Sequence, residues 1–308
     1  ELNLPDSITS IEKDAFNECT SLVDLKIPQN VETIGDHSFS GCVSIKHVTL
    51  PDSLTTIGSF AFDGCKSIAH IELPKSVKNI GEDAFNDCTA LEDICIPYGV
   101  TMISKYAFCG CTSLQTAIIP STVTIINDYA FHGCTSLKDV DIPDSVNTIG
   151  DYGFNRCSSL TKLVIPSSVK SIGRDAFNEC TSLTQVILPD SIEYIQEYAF
   201  NDCTALSEVV IPSHITVISD YSFSGCSKLS HVTIPPFVAS IGNDAFNACV
   251  SLNEVNIPHS VVSIGNYAFC GCTSLTKITA NSDNLKFIGQ SPFKDCVCLN
   301  NFAFNQEQ

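Results

Sequence analysis

The sequence predicts an α/β solenoid that is rich in β-structure and built from stacked coils of a twenty-three-residue repeat. Three columns of residues carry this prediction. Proline stands at the same place in every repeat, from Pro5, Pro28 and Pro51 onward to Pro258, without exception. A phenylalanine follows each proline by eleven residues, from Phe16 to Phe269, and a cysteine follows each phenylalanine by three. A fixed period of this length is typical of a solenoid, in which one supersecondary unit is stacked on itself.

The period also predicts the domain organisation. Although 308 residues are long enough for two domains, each coil of a solenoid packs on its neighbours and the core continues from coil to coil. We therefore expect residues 1–308 to form a single solenoid domain of about 13 coils. Residues 276–308 depart from the period, because one extra residue delays Phe293 and Cys296 by one place. Phe302 and Phe304 restore the strand pattern and predict a closing strand.

Each repeat contains three short segments. The first has apolar residues at the spacing of Leu183, Val186 and Leu188, and its last four positions alternate as in a half-buried strand. The proline ends this strand because it lacks the N–H group that a β-ladder needs. The second segment has apolar residues three apart, as in Val169 and Ile172, and is predicted to be extended or a loose turn.

The third segment, residues 175–180, is predicted to be a single helical turn around Phe177. Gly173, Gly150, Gly242 and Gly265 precede such turns, where a sharp bend is expected. Aspartates stand at the start of many of these turns, as at Asp36, where a side-chain oxygen accepts from unpaired backbone N–H groups. Much of the acidic charge is therefore predicted to be structural.

The cysteine column is predicted to be a ladder of buried, reduced thiols. Of the 17 cysteines, twelve recur at the period of the repeat and Cys296 follows one place late. Free cysteine behaves as a small apolar residue and is among the most buried residue types. Stacked strands are close enough for disulfides, but the column has an odd number of members in identical motifs. The off-column cysteines, whose oxidation state the sequence leaves open, are Cys95, Cys109, Cys270 and Cys298.

Charge and hydropathy exclude several classes of partner. The net charge of −18 disfavours nucleic acid and anionic membrane surfaces, which both require cationic protein surface. No apolar run approaches the roughly 20 residues of a spanning helix, so no membrane insertion is expected in this segment. The chain begins within a repeat, at Glu1, so we expect a longer natural protein whose targeting information is missing here.

The pattern I-P-x-S-V-x-x-I-G-x-x-A-F-x-x-C-x-S-L resembles the BspA-like, or Treponema-type, leucine-rich repeat family, and it extends without a break from Leu2 to about Leu275. The resemblance implies a right-handed horseshoe with a parallel sheet on its concave face. It also implies a surface or secreted protein of bacteria or parasitic protists that serves in adhesion. The family has no catalytic motif to transfer.

The candidate partner-binding residues point outward from the predicted concave strands, two and four positions before the proline. The column two before is polar at both ends but apolar at Val164, Ile187 and Val210, on three adjacent strands. The column four before places Lys162, Gln185 and Glu208 beside them. An apolar centre with a polar rim is the composition of an interaction hot spot. The alternative is that β-branched residues simply favour strands.

A second candidate surface is an aromatic edge formed by a column of tyrosines. This column comprises Tyr106, Tyr129, Tyr152, Tyr198 and Tyr221, and Tyr267 follows it. It suggests a lateral binding or assembly surface, although tyrosines at such positions more often shield the turn that they cover.

No metal, cofactor or catalytic site is predicted. Asp24, His47, His70 and Asp93 form a flat row, whereas a tetrahedral metal site needs ligands that converge. The Cys109-Gly110-Cys111 spacing differs from the C-x₂-C of zinc and redox sites. No off-period nucleophile with an aligned base and no phosphate-binding loop is found.

The sequence therefore favours a non-enzymatic protein-interaction module, an adhesin-like domain at the cell surface or secreted, that binds a host or matrix protein or a second copy of itself. Two alternatives stay open at this point. Repeats could assemble through the tyrosine edge into a coat or filament. A carbohydrate-binding surface is disfavoured, because the outward strand columns contain no aromatic residue for stacking on a sugar ring.

Overall fold

The structure is a computed structural model that describes residues 2–280, 284–299 and 301–304. The chain divides into two compact units, Glu1–Ser158 and Ser159–Gln308, which are described separately below as unit 1 and unit 2. The single domain expected from the repeat stays a prediction.

In unit 1 the coils add short strands, or single bridges, to two parallel rows. The first row follows the leucine-rich segment and contains Asp24–Lys26, His47–Thr49, Asp93–Cys95, Thr116–Ile118 and Asp139–Val140, with isolated parallel bridges at Leu2↔Leu25 and His70↔Asp93. The second row lies in the segment after the proline and contains Ser10–Ile11, Thr33–Ile34, Thr56–Ile57, Asn79–Ile80, Met102–Ile103, Ile125–Ile126 and Thr148–Ile149. The second segment is therefore extended, as one of its two predicted forms.

Unit 2 repeats this arrangement. Its first row contains Lys162–Val164, Gln185–Ile187, Glu208–Val209, His231–Val232, Glu254–Ile257, Lys277–Ala280 and Asn301–Phe304. Its second row contains Ser171–Ile172, Tyr194–Ile195, Val217–Ile218, Ser240–Ile241, Ser263–Ile264 and Phe287–Ile288. Each strand pairs with the equivalent strand one repeat away, as in Gln185↔Lys162. The spacing grows by one residue at Ser263↔Phe287, which places the extra residue where the sequence locates it.

The predicted helical turn is wrong: none of the residues that the structure describes lies in a helix. The reason is that backbone N–H groups alternate in direction. Ala176 and Asn178 donate to carbonyl oxygens three residues earlier, whereas Asp175 and Phe177 donate to carbonyl oxygens of the next coil, at 3.0 and 2.9 Å. A helix would require every N–H group to donate within its own segment. We call this segment, in every coil, the Phe turn.

Two columns of left-handed residues make this alternation possible. They lie two residues before and two residues after each phenylalanine, as at Asp175 and Glu179, with φ of 52° and 58°. The column after the phenylalanine contains glycine in six coils, among them Gly110 and Gly225. Left-handed backbone is costly for most L-residues and least so for glycine, asparagine and aspartate. The bend therefore lies beside the phenylalanine and not at the earlier glycine.

The glycines four residues before the phenylalanine have a different role from the one that the sequence suggested. A Cβ atom at Gly150 would lie 2.5 Å from Asp128 Oδ1 and 2.6 Å from its backbone nitrogen, in the preceding coil. The backbone of Gly150 is not left-handed. Gly150 therefore marks a close approach of successive coils and not a sharp turn of the chain.

The aspartates three residues before the phenylalanine, just ahead of the Phe turn, are structural, and they cap the next coil and not their own. Asp36 Oδ1 accepts a hydrogen bond from the Ser59 backbone nitrogen at 2.8 Å, in the next coil. Asp220 accepts from both the backbone and the side-chain nitrogen of Asn243, at 2.7 and 3.0 Å. A capping oxygen therefore satisfies a donor that the alternating backbone leaves exposed.

The core of each unit is a stack of phenylalanine rings and cysteine thiols. Neighbouring rings lie 5.2–5.6 Å apart between centroids and within 14° of parallel, as in Phe177 and Phe200. Each column thiol from Cys42 onward for which the bond is described donates to the carbonyl oxygen of the phenylalanine 26 or 27 residues earlier, at 3.1–3.3 Å. All seventeen cysteines are free thiols. Cys19 is exposed, contrary to the prediction of a buried column.

Candidate functional site

The strand-face strip, defined as Val164, Ile187 and Val210, lies along the first strand row of unit 2, with Val210 directly after the strand Glu208–Val209. Its side chains are 47%, 45% and 79% exposed, while the residues immediately before them, such as Val186, are buried. Val164 and Ile187 are direct partners in the parallel ladder. Strand alternation therefore places the three apolar side chains in solvent, on the outward face that the sequence indicated.

The rim of this strip is polar and lies in register with it. Lys162 pairs with Gln185, and Gln185 pairs with Glu208, along the same row. All three side chains are exposed. The structure thus brings together the residues proposed for partner binding as one contiguous outward patch, while their role in binding stays a prediction.

The tyrosine edge, defined as Tyr106, Tyr129, Tyr152, Tyr198 and Tyr221, is a stack of rings within each unit. In unit 1, centroids of Tyr106 and Tyr129 lie 4.6 Å apart, and those of Tyr129 and Tyr152 lie 4.5 Å apart. In unit 2, Tyr198 and Tyr221 are 4.5 Å apart. All five are half-buried residues with left-handed backbone. Rings that bury their faces on one another offer a partner only their rims.

Buried carboxyl groups interrupt the tyrosine edge, at aspartates that the sequence places at the start of the turn and predicts to be structural. Asp175 and Asp244 occupy the same column and are only 6% and 8% exposed. The Tyr221 hydroxyl donates to Asp244, which, with burial, raises the pKa of Tyr221 to about 12. Burial, reinforced by Asp63, raises the pKa of Asp83 to about 6. These groups hold the edge together and do not point to catalysis.

The row of aspartates and histidines on unit 1 separates into two hydrogen-bonded His–Asp pairs. His47 Nδ1 lies 2.8 Å from Asp24 Oδ1, and His70 Nδ1 lies 2.6 Å from Asp93 Oδ1. Throughout residues 2–280 and 284–299, no group of three or more His, Cys, Asp or Glu side chains is arranged to hold a metal ion. Each histidine has one carboxylate partner on an exposed surface.

A groove on unit 1 is the main feature that sequence reasoning missed. It has a volume of about 1090 Å³ and lies on the outward face around the His70–Asp93 pair. Cys95, Ile118 and Tyr98 line it. Tyr98 follows Pro97 directly, outside the two outward strand columns, and an aromatic residue at this place is the sequence signal that indicates the groove.

The off-column cysteines differ in exposure. Cys95 and Cys298 are exposed, whereas Cys109 and Cys270 are half-buried. Burial, followed by the charge of Asp87, raises the pKa of Cys109 to about 12. Since the thiolate is the reactive form, Cys109 is a poor nucleophile.

The two rows of parallel strands, the constant register of one repeat and the buried phenylalanine column define a leucine-rich-repeat type of parallel β-solenoid. The chain belongs to the family described as BspA type leucine rich repeat region (6 copies), whose sequence profile matches residues 1–115, 101–230 and 193–308. This family is a repeat scaffold, and the match indicates no catalytic family.

Solved structures agree with the family. A leucine-rich repeat protein from Bacteroides ovatus is 30% identical, with a TM-score of 0.77 over 95% of this chain and 81% of that one. A leucine rich cell surface protein from Faecalibacterium prausnitzii is 31% identical, with a TM-score of 0.61 over 90% and 84%. The pneumococcal vaccine antigen PcpA, 18% identical with a TM-score of 0.56 over 94% and 79%, shares the fold.

Among curated proteins, none matches the chain. The part of the chain that the structure describes contains no helix of the length and apolarity that crossing a membrane requires.

Proposed function

We propose that this chain is a non-enzymatic interaction module of a cell-surface or secreted, adhesin-like protein, and that it binds a partner protein through the strand-face strip. The observation that carries the proposal is the contrast within one column. Val164, Ile187 and Val210 are exposed and apolar, whereas the same column is polar at Asp141 before them and at Thr233 and Asn256 after them. A contiguous apolar patch within a polar surface marks an interaction site.

The energetics suit a specific but moderate contact. Fully burying a Val or Ile side chain contributes about 1.5–3 kcal/mol, and about half of the Val164 and Ile187 surface is already covered. Three such side chains would thus contribute a few kcal/mol against the cost of association. Lys162 and Glu208 at the rim would govern orientation and association rate more than affinity.

The cell-surface setting is supported by similarity. The Faecalibacterium protein, 31% identical over 90% of this chain, is named as a cell surface protein. The net charge of −18 keeps nucleic acid an unfavourable partner. A host or matrix protein, or a second copy of the chain, fits both observations.

The test is affinity capture from host-cell extract and extracellular matrix, with the wild-type chain and two variants as bait. Ile187→Asp places a charge at the centre of the strip. Val262→Asp makes the same kind of change at a residue of unit 2 that is 36% exposed but outside the strip. We expect a protein that the wild type and Val262→Asp retain and that Ile187→Asp binds at least about tenfold more weakly, or about 1.4 kcal/mol.

The tyrosine edge provides the contrary outcome. If Ile187→Asp binds the captured protein normally while Tyr129→Ala does not, recognition uses the edge and the strand-face proposal is wrong. Sedimentation over a range of concentrations separates assembly into a coat or filament from binding of a different protein, because only assembly raises the mass with concentration.

A further inference from the structure

The groove on unit 1 lies where the first strand row is interrupted. The strands before and after are His47–Thr49 and Asp93–Cys95, but the coil between them contributes only a single bridge, His70↔Asp93. The space of about 1090 Å³ opens on the outward face. A volume of this size is at the upper end of the range for sites that hold small ligands, and it accommodates several side chains of a peptide.

The apolar part of the groove combines aliphatic and aromatic surface. Ile118 is 56% exposed and Tyr98 is 68% exposed, although both are large apolar groups. The Tyr98 hydroxyl lies 3.1 Å from Ser121 Oγ in the next coil, which fixes the position of the ring. Pro97 and Pro120 add rigid surface on either side.

The charged part of the groove is negative. Asp52, Glu72 and Asp93 line it, against the single ammonium group of Lys75. His70 contacts Asp93 on one side and leaves the carboxylate 59% exposed. The net charge of the whole chain, −18, adds to this local field.

We propose that this groove binds a lysine- or arginine-bearing segment of a partner protein. Long cationic side chains pack their aliphatic stems on apolar surface while the charged end reaches polar groups. Here Ile118 would receive the stem and Asp93 or Glu72 the charge, with the Tyr98 ring available for a cation–π contact. An anionic segment is opposed by the same carboxylates. The site is separate from the strand-face strip and shares with the proposed function only that the partner is a protein.

The test uses the full 308-residue chain and two fluorescein-labelled dodecapeptides, one of alternating Arg and Leu and one with Glu in place of Arg. Fluorescence anisotropy measures binding to the wild type and to Tyr98→Ser and Asp93→Asn. The matched control is Asp24→Asn, which removes the same charge from the equivalent His47–Asp24 pair outside the groove. Tyr194→Ser, at a tyrosine that is 59% exposed in unit 2, is the aromatic control.

We expect the wild type to bind the Arg peptide saturably and not to bind the Glu peptide. The affinity for the Arg peptide should be about tenfold weaker in Tyr98→Ser and in Asp93→Asn. It should be unchanged in the two control variants. Ile187→Asp should leave this binding unchanged, so the result is independent of the strand-face strip. Absence of binding, equal binding of the Glu peptide, or an equal affinity in all variants would overturn the proposal. A panel of oligosaccharides supplies the last outcome: sugar binding that Tyr98→Ser abolishes, without peptide binding, would assign the groove to carbohydrate instead.

Discussion

At the scale of single residues, the column that a residue occupies determines which amino acid stands there. The neighbouring coil determines the environment of its side chain. The column cysteines show this most clearly. Burial raises the pKa of Cys42 to about 11, and raises that of the more deeply buried Cys88 and Cys134 well above the ordinary value. A thiol that donates to a carbonyl oxygen and cannot ionise is inert. The buried column cysteines therefore contribute to core packing and are not reactive.

The accessible thiols follow from this. A maleimide probe should label native protein rapidly at Cys19, Cys95 and Cys298, which are exposed, and slowly at the half-buried Cys109 and Cys270. The buried column should react only after denaturation, which should expose all 17 thiols without added reductant. Peptide mapping by mass spectrometry gives the site of each label. Rapid native labelling of Cys180, or an intercoil disulfide, would contradict the ladder.

The raised pKa of Asp83 predicts that replacing this residue by asparagine stabilises the protein in a pH-dependent way. Its folded pKa, raised to about 6 from 3.8 mainly by burial, means that the folded state binds the proton more tightly than the unfolded state. The carboxylate therefore costs stability as the pH rises from 4 through 6. Asp83→Asn should stabilise the protein at pH 7.5, and this gain should vanish near pH 4. Urea unfolding at both values measures it, with Asp141→Asn as the exposed control. A gain that is independent of pH would rule out this cause.

At the scale of the element, the Phe turn is held by the next coil as much as by itself. Sequence reasoning located the turn, the strands and their alternation, because all three leave a pattern within a single repeat. Sequence reasoning predicted a helical turn there, because it sees only the pattern within one repeat. The backbone hydrogen bonds that Asp175 and Phe177 donate reach into the next coil and leave no such local pattern. Sequence reasoning missed the groove for a related reason: Ile71 and Leu73 keep the strand pattern, yet their coil forms only one bridge.

Two glycines three residues apart test the close approach of the coils. Gly150→Ala would place Cβ 2.5–2.6 Å from Asp128, so we expect a loss of about 1–3 kcal/mol from overpacking. At Gly153 the nearest atom would be 3.2 Å away, and most coils carry alanine there, as at Ala176. Gly153→Ala should therefore change stability by less than about 1 kcal/mol. Urea unfolding of both variants measures the two changes in the free energy of unfolding. Equal losses for Gly150→Ala and Gly153→Ala would contradict the packing argument.

The phenylalanine stack carries the core. Phe177 is fully buried and stacks on Phe200 at 5.5 Å, so Phe177→Ala should destabilise the protein by about 3–5 kcal/mol. Phe237 is 62% exposed, and Phe237→Ala should cost less than about 0.5 kcal/mol. The comparison uses one substitution in two environments and is read from urea midpoints. A small effect at Phe177 would mean that neighbouring coils close the cavity.

At the scale of the whole molecule, the inward columns are nearly constant and the outward strand columns vary. Folding and recognition are thereby assigned to different residues of the same coil. The period alone predicted the strand positions of Val164, Ile187 and Val210, because strand alternation fixes which residues face solvent. The partner could not be predicted in the same way, since it depends on side chains that the fold leaves free.

Deletion of whole coils tests this separation most directly. Removing residues 166–211, which are two whole repeats, joins Ile165 to Pro212 in register and takes away Ile187 and Val210. Removing residues 212–257, also two whole repeats, joins Ile211 to Pro258 and keeps the strip. We predict that both chains fold, by circular dichroism and cooperative melting, and that only the first loses the captured partner, by at least about tenfold. If the two deletions bind the partner equally, recognition does not reside in the strand-face strip.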